Sequence, residues 1–98
     1  MNTFIMVTRL NSEAISSPQV LEDLEKQAVA KIGAECPSVE WLGNYAALGP
    51  YDYVDIFRAD GIETAAKVAT LIRTFGHAHS EVWPVIEWAR FKDLVHGL

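Results

Sequence analysis

The sequence predicts an α+β fold in which four strands and two helices follow the order β-α-β-β-α-β, with a short helix at the end. Three observations support this prediction. Runs rich in β-forming residues alternate with segments of helical periodicity, two such runs meet at a Gly-Pro turn, and glycine or proline follows each of the two longer helical segments. The length of 98 residues fits a single domain over residues 1–98.

The first strand is predicted over Phe4 to Leu10, before a polar break at residues 11–13. Large apolar side chains occur on both of its alternating faces, so we expect both faces to be covered. The first helix is predicted to begin at Ser17 and Pro18, because serine can cap a first turn in which proline loses no hydrogen bond. Its apolar stripe has helical spacing and consists of Leu21, Leu24, Ala28 and Ile32.

Residues 39–48 and 51–58 are predicted to form an antiparallel hairpin, because Gly49 and Pro50 between them favour a turn. Alternate side chains of a strand point to opposite faces of its sheet. In the second strand of the hairpin, one face is therefore expected to carry Tyr53, Asp55 and Phe57, and the other Val54 and Ile56.

The second helix is predicted to begin at Asp60, which can cap the helix while Glu63 reaches back to the cap. Gly76 favours the end of this helix. Small side chains on its inner face let it lie close to a sheet, and that face consists of Ala65, Ala66, Ala69, Ile72 and Phe75. A fourth strand is expected over residues 77–85, and residues 87–95 again have helical spacing.

This order is that of the ferredoxin-like fold, with a four-stranded antiparallel sheet, two helices on one face and a short C-terminal helix. Half of the residues are apolar, which is a high share for so small a chain. We expect the uncovered sheet face to expose a large apolar patch formed by Phe4, Met6, Tyr53, Phe57 and Trp83. Two such faces would pack together in a homodimer or a larger homo-oligomer.

Composition also limits the partners of the chain. The net charge of −5 argues against nucleic-acid binding, which needs clustered lysine and arginine. No apolar run approaches the roughly 18 residues of a membrane-spanning helix, and the N-terminal residues do not match a signal peptide. A single cysteine, Cys36, excludes a disulfide within the chain. We therefore expect a cytoplasmic protein without nucleic-acid or membrane partners.

The segment from Leu48 to Asp52 resembles the signature of the GYD domain family, a Gly-x-Tyr-Asp turn that enters the third strand. Phe4 to Leu10 is similar to the opening strand of that family, residues 76–81 to its fourth strand and residues 85–91 to its C-terminal tail. The resemblance implies a dimeric α+β barrel. It implies no established reaction, and a fold by itself does not define a function.

The family motif itself, formed by Gly49, Tyr51 and Asp52, has a structural interpretation and a functional one. In the structural interpretation Gly49 allows a positive φ, Asp52 accepts backbone N–H bonds, and Tyr51 packs its ring beside the hairpin with its hydroxyl in water. In the functional interpretation the same turn forms the rim of a pocket.

A second candidate site is the sequence His77-x-His79-x-Glu81 on the fourth strand. Residues two apart on a strand share a face, and two imidazoles with a carboxylate are suitable ligands for zinc or iron. The alternative is a solvated or hydrogen-bonded edge strand without a metal. We favour the second interpretation and predict no bound cofactor.

The strongest single candidate for chemistry is Asp55. Aromatic neighbours would desolvate its carboxyl and raise its pKa, as a general acid or base requires. Thr8 and His79 are the predicted partners in proton transfer, and the ligand pocket is predicted to be lined by Met6, Thr8, Tyr53, Phe57 and Trp83. Alternatively, Asp55 pairs with an arginine or with backbone donors across the dimer, and its role is structural.

Three functions remain open from the sequence. The first is a homo-oligomeric, sensor-like domain that binds a small organic molecule in a cavity between the sheet and either the helices or the partner. The second is a cofactor-independent enzyme, an isomerase or a monooxygenase, that uses Asp55 and His79 for proton transfer. The third is a purely structural dimerisation domain. An apolar cavity would favour binding, whereas Asp55 and His79 within hydrogen-bond reach would favour catalysis.

Overall fold

The structure is a computed structural model that describes residues 1–11, 17–75 and 78–98. Its elements follow the predicted order and are β1 (Asn2–Leu10), α1 (Pro18–Glu35), β2 (Glu40–Ala46), β3 (Tyr53–Ala59), α2 (Ile62–Phe75), β4 (Ala78–Val85) and α3 (Trp88–His96). The four strands form an antiparallel sheet in the order β2-β3-β1-β4. The predicted ferredoxin-like α+β fold is confirmed.

Register places side chains from several strands in common rows across the sheet. Asp55 of β3 lies opposite Met6 of β1 on one side and opposite Asn44 of β2 on the other. Because directly paired residues share a face, these three side chains belong to the same face of the sheet. The next row pairs Thr8 with Tyr53 on that same face.

The two long helices lie at different distances from the sheet. Small side chains at Ala65 and Ala69 are buried and allow the backbone of α2 to approach β4 and β3 closely. The backbone of α1 lies farther from the strands and packs against α2. Only Ala28 and Ile32 are buried along α1, whereas Leu21 is half-buried. The N-terminal part of α1 therefore stands off from the sheet.

Helices begin at both predicted positions, but at the second one Asp60 bonds to Thr64, whereas Glu63 was the predicted partner. The Ser17 hydroxyl accepts a hydrogen bond from Val20 N–H at 3.2 Å, as expected of a serine cap ahead of Pro18. At the start of α2, the Asp60 carboxylate accepts a bond from the Thr64 hydroxyl at 2.6 Å. The predicted end at Gly76 lies outside the described residues.

The prediction of which sheet face is uncovered was wrong. Phe4, Met6 and Phe57 are at most 1% exposed, and they pack against Ile32 of α1 and Val68 of α2 in the core. We call this the helix face. Alternation grouped the side chains of β1 and β3 correctly, but the two helices cover the face of these strands that was expected to be exposed. The aromatic residues lie in the core because they fill the space beneath both helices.

The opposite surface, which we call the open face, carries the alternate side chains of the same strands, namely Ile5, Val7, Val54, Ile56 and Trp83. Val7 is buried, but Ile5, Val54 and Ile56 are only partly buried and Trp83 is 42% exposed. The C-terminal helix α3 has no buried residue. The Trp88 ring of α3 is 69% exposed and stacks on Phe91, with 5.5 Å between ring centroids. The exposed or partly exposed large apolar side chains are therefore concentrated on the open face and on α3.

Candidate functional site

A cavity of about 440 Å³ lies between α1 and the helix face of the sheet. It forms where the N-terminal part of α1 stands off from the strands. Its walls come from α1, from the adjoining parts of β1, β2 and β3, and from single residues of α2 and β4. The described residues that line it are Met6, Thr8, Leu10, Leu21, Leu24, Glu25, Ala28, Val29, Ile32, Trp41, Asn44, Tyr45, Ala46, Tyr53, Asp55, Ile72 and Ala78.

The lining changes in character from floor to mouth. The floor includes Met6, Thr8 and Ile32, each no more than 4% exposed. Toward the mouth, Glu25 and Asn44 are exposed. A small organic molecule would therefore bury an apolar part at the floor and place a polar part near the rim, which is the usual division in ligand pockets.

Asp55 is the acidic group that β3 contributes to this cavity. Its carboxylate Oδ1 accepts a hydrogen bond from Asn44 Nδ2 at 2.8 Å, from the neighbouring strand. Burial raises the pKa of the Asp55 carboxyl above its ordinary value, and the negative charge of Glu25 raises it further, while the Asn44 bond acts in the opposite direction. Asp55 is thus held by a neutral amide, not by an arginine within the chain.

Tyr53 lies one row from Asp55, with its side chain on the same face of the sheet. Burial raises the pKa of the Tyr53 phenol, and the charges of Asp52, Asp55 and Glu25 raise it further. The phenol is therefore a neutral hydroxyl at physiological pH and can donate or accept a hydrogen bond inside the cavity.

The structure brings together only part of the predicted pocket. Met6, Thr8 and Tyr53 line the cavity together with Asp55. Phe57 has no exposed surface and packs in the core between Phe4 and Trp41, so it is not a wall of the cavity. The prediction that Trp83 shares this face was wrong, because Trp83 pairs with Ile5 on the open face.

The predicted proton-transfer pair is also separated. His79 pairs with Arg9, whereas the neighbouring residues Thr8 and Ser80 pair with each other on the helix face. Because successive side chains alternate, the side chain of His79 lies on the open face. Asp55 is on the helix face. The sheet itself therefore stands between the two groups, and a relay from Asp55 to His79 within one chain is excluded by the strand register.

On the open face, Glu81 is the centre of a polar network. Its Oε2 accepts a hydrogen bond from the Tyr51 hydroxyl at 2.7 Å and lies 3.4 Å from His79 Nε2, and its Oε1 accepts one from Trp83 Nε1 at 3.3 Å. The Tyr51 bond, followed by the Trp83 bond, lowers the pKa of the Glu81 carboxyl, and the same Tyr51 bond raises the pKa of the Tyr51 phenol. The guanidinium of Arg9 lies 5.1 Å from the centre of the Tyr51 ring.

This network corrects one expectation, about Tyr51, and bears on the interpretation of Glu81. The Tyr51 hydroxyl was expected to stay in water, but it joins the loop after β2 to β4 across β1. Of the two interpretations of Glu81 and His79, a metal site or the favoured hydrogen-bonded strand, the second agrees with the hydrogen bonds that engage both oxygens of Glu81. Within residues 1–11, 17–75 and 78–98, no group of three or more metal-ligating side chains is found. The third predicted ligand, His77, lies outside the described residues.

The rest of the family motif fastens the hairpin to the end of β1. Asp52 Oδ2 accepts a hydrogen bond from Leu10 N–H at 2.8 Å, and Asp52 N–H donates to the Thr8 carbonyl at 2.8 Å, as predicted for a structural aspartate. Gly49 does not adopt the left-handed conformation that the sequence suggested, and a Cβ there would meet no atom within 4 Å. The aspartate and the tyrosine therefore carry the structural role of the motif.

Sequence reasoning missed the walls supplied by α1 and β2. Leu21 and Leu24 were assigned to helix packing, and Trp41, Asn44 and Glu25 were not assigned to a pocket. One feature of the sequence could have indicated the cavity wall. Glu25 lies beside the apolar stripe of α1, as Asp55 lies among apolar residues of β3. Only the stand-off of α1 turns this stripe into a cavity wall.

A second depression, about 780 Å³, lies at the other end of the sheet near α3. It is bordered by the N-terminal residues and by exposed side chains, including Met1 and Ile86. Phe4 contributes to it but is itself almost fully buried. Among the described residues that border it, no carboxylate and amide are hydrogen-bonded as Asp55 and Asn44 are, and the cavity beneath α1 is the better candidate site.

Fold and cavity together define a ferredoxin-like α+β domain with a pocket between its first helix and its sheet. The sequence model of the GYD domain matches residues 4–95, nearly the whole chain. The chain therefore belongs to the GYD domain family, as its motif indicated.

A solved structure shares the fold. The crystal structure of the protein At3g17210 from Arabidopsis thaliana is similar with a TM-score of 0.56, and the alignment covers 89% of this chain and 95% of that one. The two sequences are 13% identical, so the likeness shows the fold alone. No curated protein matches this sequence. In the part of the chain that the structure describes, no helix combines the length and the apolar character needed to cross a membrane.

Proposed function

We propose that this chain is a small-molecule-binding protein whose ligand occupies the cavity beneath α1. The observation that carries the proposal is a cavity of about 440 Å³ with a mostly apolar lining and a few polar groups. This volume falls within the range of roughly 300–1,000 Å³ that is typical of ligand pockets. Burial of an apolar ligand body against Met6 and Ile32 would drive binding, and the polar groups would orient it.

The geometry favours binding over the catalytic alternative. Proton transfer in the expected form needs Asp55 and His79 within hydrogen-bond reach of one substrate, and they lie on opposite faces of the sheet. Asp55 is held by a neutral amide that can position it as an acceptor. A carboxylate–amide pair at the edge of an apolar pocket suits recognition of a polar group on a ligand.

The cavity can be tested by filling it. Ala28 is 4% exposed and lines the cavity, so Ala28→Phe should occupy part of the ligand space. Ala30 lies on the same helix but is exposed and outside the cavity, and Ala30→Phe is the matched control. The probe is the neutral dye N-phenyl-naphthylamine, whose fluorescence increases in apolar sites.

We expect the wild type and Ala30→Phe to bind the dye equally and Ala28→Phe to bind it at least about tenfold more weakly. The smaller replacement Ala28→Leu should have an intermediate effect, and circular dichroism would confirm that each variant is folded. Undiminished dye binding by a folded Ala28→Phe protein would overturn the proposal. Native mass spectrometry of freshly purified protein would report any ligand that co-purifies.

We also propose that the protein is a homodimer in which two open faces pack together. Support comes from the row of aliphatic side chains at Ile5, Val54 and Ile56, which is only partly buried in one copy, and from the 42% exposure of Trp83. Two sheets with such faces can pack about 10 Å apart, as in sandwich folds. A second copy is the occupant because an open face of this composition is complementary to itself.

Light scattering coupled to gel filtration tests this assembly. We expect a dimer for the wild type and a monomer for Ile56→Asp, which introduces a charge into the centre of the open face. Ala66→Asp changes an exposed residue on α2 in the same way and should remain dimeric. A monomeric wild type at micromolar concentration would contradict the proposed assembly.

A cytoplasmic location is proposed on the basis of Cys36. The residue is a buried free thiol, and burial raises its pKa, so the reactive thiolate is disfavoured. An unpaired thiol of this kind is usual in a reducing compartment. Cell fractionation with detection of the tagged chain would test the location.

A further inference from the structure

The charge of the cavity wall has one sign. Among the described residues that line the cavity, the charged groups are Glu25 of α1 and Asp55 of β3, and both are carboxylates. Within residues 1–11, 17–75 and 78–98, no lysine, arginine or histidine contributes to this lining. The whole chain adds a field of the same sign, since its net charge is −5.

The carboxylate of Glu25 acts on that of Asp55. The negative charge of Glu25 contributes to the raised pKa of Asp55, and among the described residues no cation is found to shift it. Asn44 donates one hydrogen bond to Oδ1 of Asp55. A carboxylate has about four lone-pair sites, so Asp55 retains the capacity to accept further donors from a ligand.

We propose that the ligand of this cavity is an apolar amine, in which a protonated nitrogen is joined to an aliphatic or aromatic body. This inference rests on the proposed binding function and adds the chemical class of the ligand. An ammonium group would donate charge-assisted hydrogen bonds to Asp55 and relieve its repulsion with Glu25. The aromatic walls at Trp41 and Tyr53 tolerate a cation because ring faces are electronegative. An anionic ligand would instead be repelled by both carboxylates.

The same geometry couples binding to pH. Burial and Glu25 favour the protonated form of Asp55 in the empty protein, whereas a bound ammonium favours the ionised form. Amine affinity should therefore rise as the pH increases through the raised pKa of Asp55 and then level off. A neutral ligand of the same shape gains nothing from this ionisation and should show a weaker pH dependence.

The test uses three ligands with a common naphthyl body, namely naphthylethylamine, naphthylethanol and naphthylacetate. Isothermal titration calorimetry on the full chain at neutral pH would compare their affinities. We expect the amine to bind about tenfold or more tightly than the alcohol, since hydrogen bonds to charged groups are the stronger class. The carboxylate should bind most weakly.

Two variants separate a local effect of the cavity from general acidity. Asp55→Asn keeps the shape of the side chain and removes its charge, so the preference for the amine should fall to less than about threefold while alcohol binding is retained. Glu22→Gln removes one acidic charge from α1 at an exposed position outside the cavity, and it should leave the preference unchanged.

The outcomes distinguish this inference from the proposed function. If the alcohol binds as tightly as the amine, or if Asp55→Asn keeps the full amine preference, the assignment of an amine ligand is overturned although the cavity still binds. If neither these ligands nor the neutral dye binds to the wild type, the proposed binding function itself fails. A preference for the amine that disappears in Asp55→Asn and persists in Glu22→Gln supports the inference.

Discussion

The helix face and the open face of the sheet are both apolar, yet they differ in what their side chains contact. On the helix face, Phe4 and Phe57 are sealed beneath two helices, and the stand-off of α1 leaves a cavity with Asp55 at its side. On the open face, aliphatic side chains are half covered, and one end is closed by the bonds that Tyr51 and Trp83 make to Glu81.

This difference assigns separate tasks to the two faces. Ligand binding is proposed on the helix face and assembly on the open face, with the thickness of the sheet between them. Substitutions on one face should therefore alter one property and leave the other intact. The expected effects on stability below run from the largest to the smallest.

The largest effect is expected for Phe57→Ala, which removes a ring with no exposed surface from the stack between Phe4 and Trp41. The loss of burial and the resulting cavity should lower the free energy of unfolding by about 3–5 kcal/mol. Ile56, next to it on the open face, is only partly buried in one copy, so Ile56→Ala should cost less than about 2 kcal/mol at protein concentrations low enough to dissociate the proposed dimer. Urea denaturation measures both. Equal costs would show that the two faces are equally buried in solution.

A smaller effect is expected for Asp52→Ala at the turn that joins the hairpin to β1. The substitution leaves the Leu10 N–H without its carboxylate acceptor and should lower the free energy of unfolding by about 1–2 kcal/mol. Asp52→Asn retains an acceptor oxygen and should recover most of this loss. The thermal midpoints of the three proteins provide the comparison, and equal destabilisation by both substitutions would rule out the proposed hydrogen bond as the cause.

On the open face, Tyr51→Phe should lower the melting temperature slightly at neutral pH, because it removes the hydroxyl that donates to Glu81. The folded-state pKa of Glu81 is lowered, so this contribution is present above the ordinary glutamate pKa of about 4.3 and is lost as the pH falls through the lowered value. Tyr45→Phe removes an exposed hydroxyl and is the control. A deficit for Tyr51→Phe that persists unchanged well below that pH would contradict the role of Glu81.

The smallest effect on stability is expected for Asp55→Asn, the variant with the largest expected effect on binding. Because the folded-state pKa of Asp55 is raised, the ionised carboxylate opposes folding at neutral pH. The neutral amide should leave the melting temperature unchanged or slightly higher at neutral pH, with the difference shrinking as the pH falls and Asp55 becomes protonated. Marked unfolding of Asp55→Asn at neutral pH would make Asp55 a structural residue.

The elements themselves could be predicted because their signals are local. Ser17 and Pro18 begin a helix, and Gly49 and Pro50 interrupt two β-rich runs, by preferences that act over a few residues. Family membership was also predictable, since the motif that includes Tyr51 and Asp52 is continuous in the sequence.

The orientation of the sheet was not predicted, because alternation tells which side chains share a face but not which face the helices cover. One signal was present: Arg9 and Arg58 share the faces of Val7 and Ile56, and long charged side chains usually keep their heads in water. Both sets of strand residues are apolar, so the two arginines give only weak evidence for the exposed face. Large aromatic residues are also typical of dimer interfaces, which favoured the opposite orientation.

The sequence by itself determined the order of the elements, the alternation of side chains along β1 and β3, and the family, and it predicted Asp55 as a candidate site residue. The tertiary structure decided that the helices cover the aromatic face, that His79 is separated from Asp55, and that α1 stands off from the strands. The physical reason is the distance along the chain over which each interaction acts. Caps, turns and alternation depend on neighbours along the chain, whereas a cavity depends on the distance at which two packed surfaces come to rest.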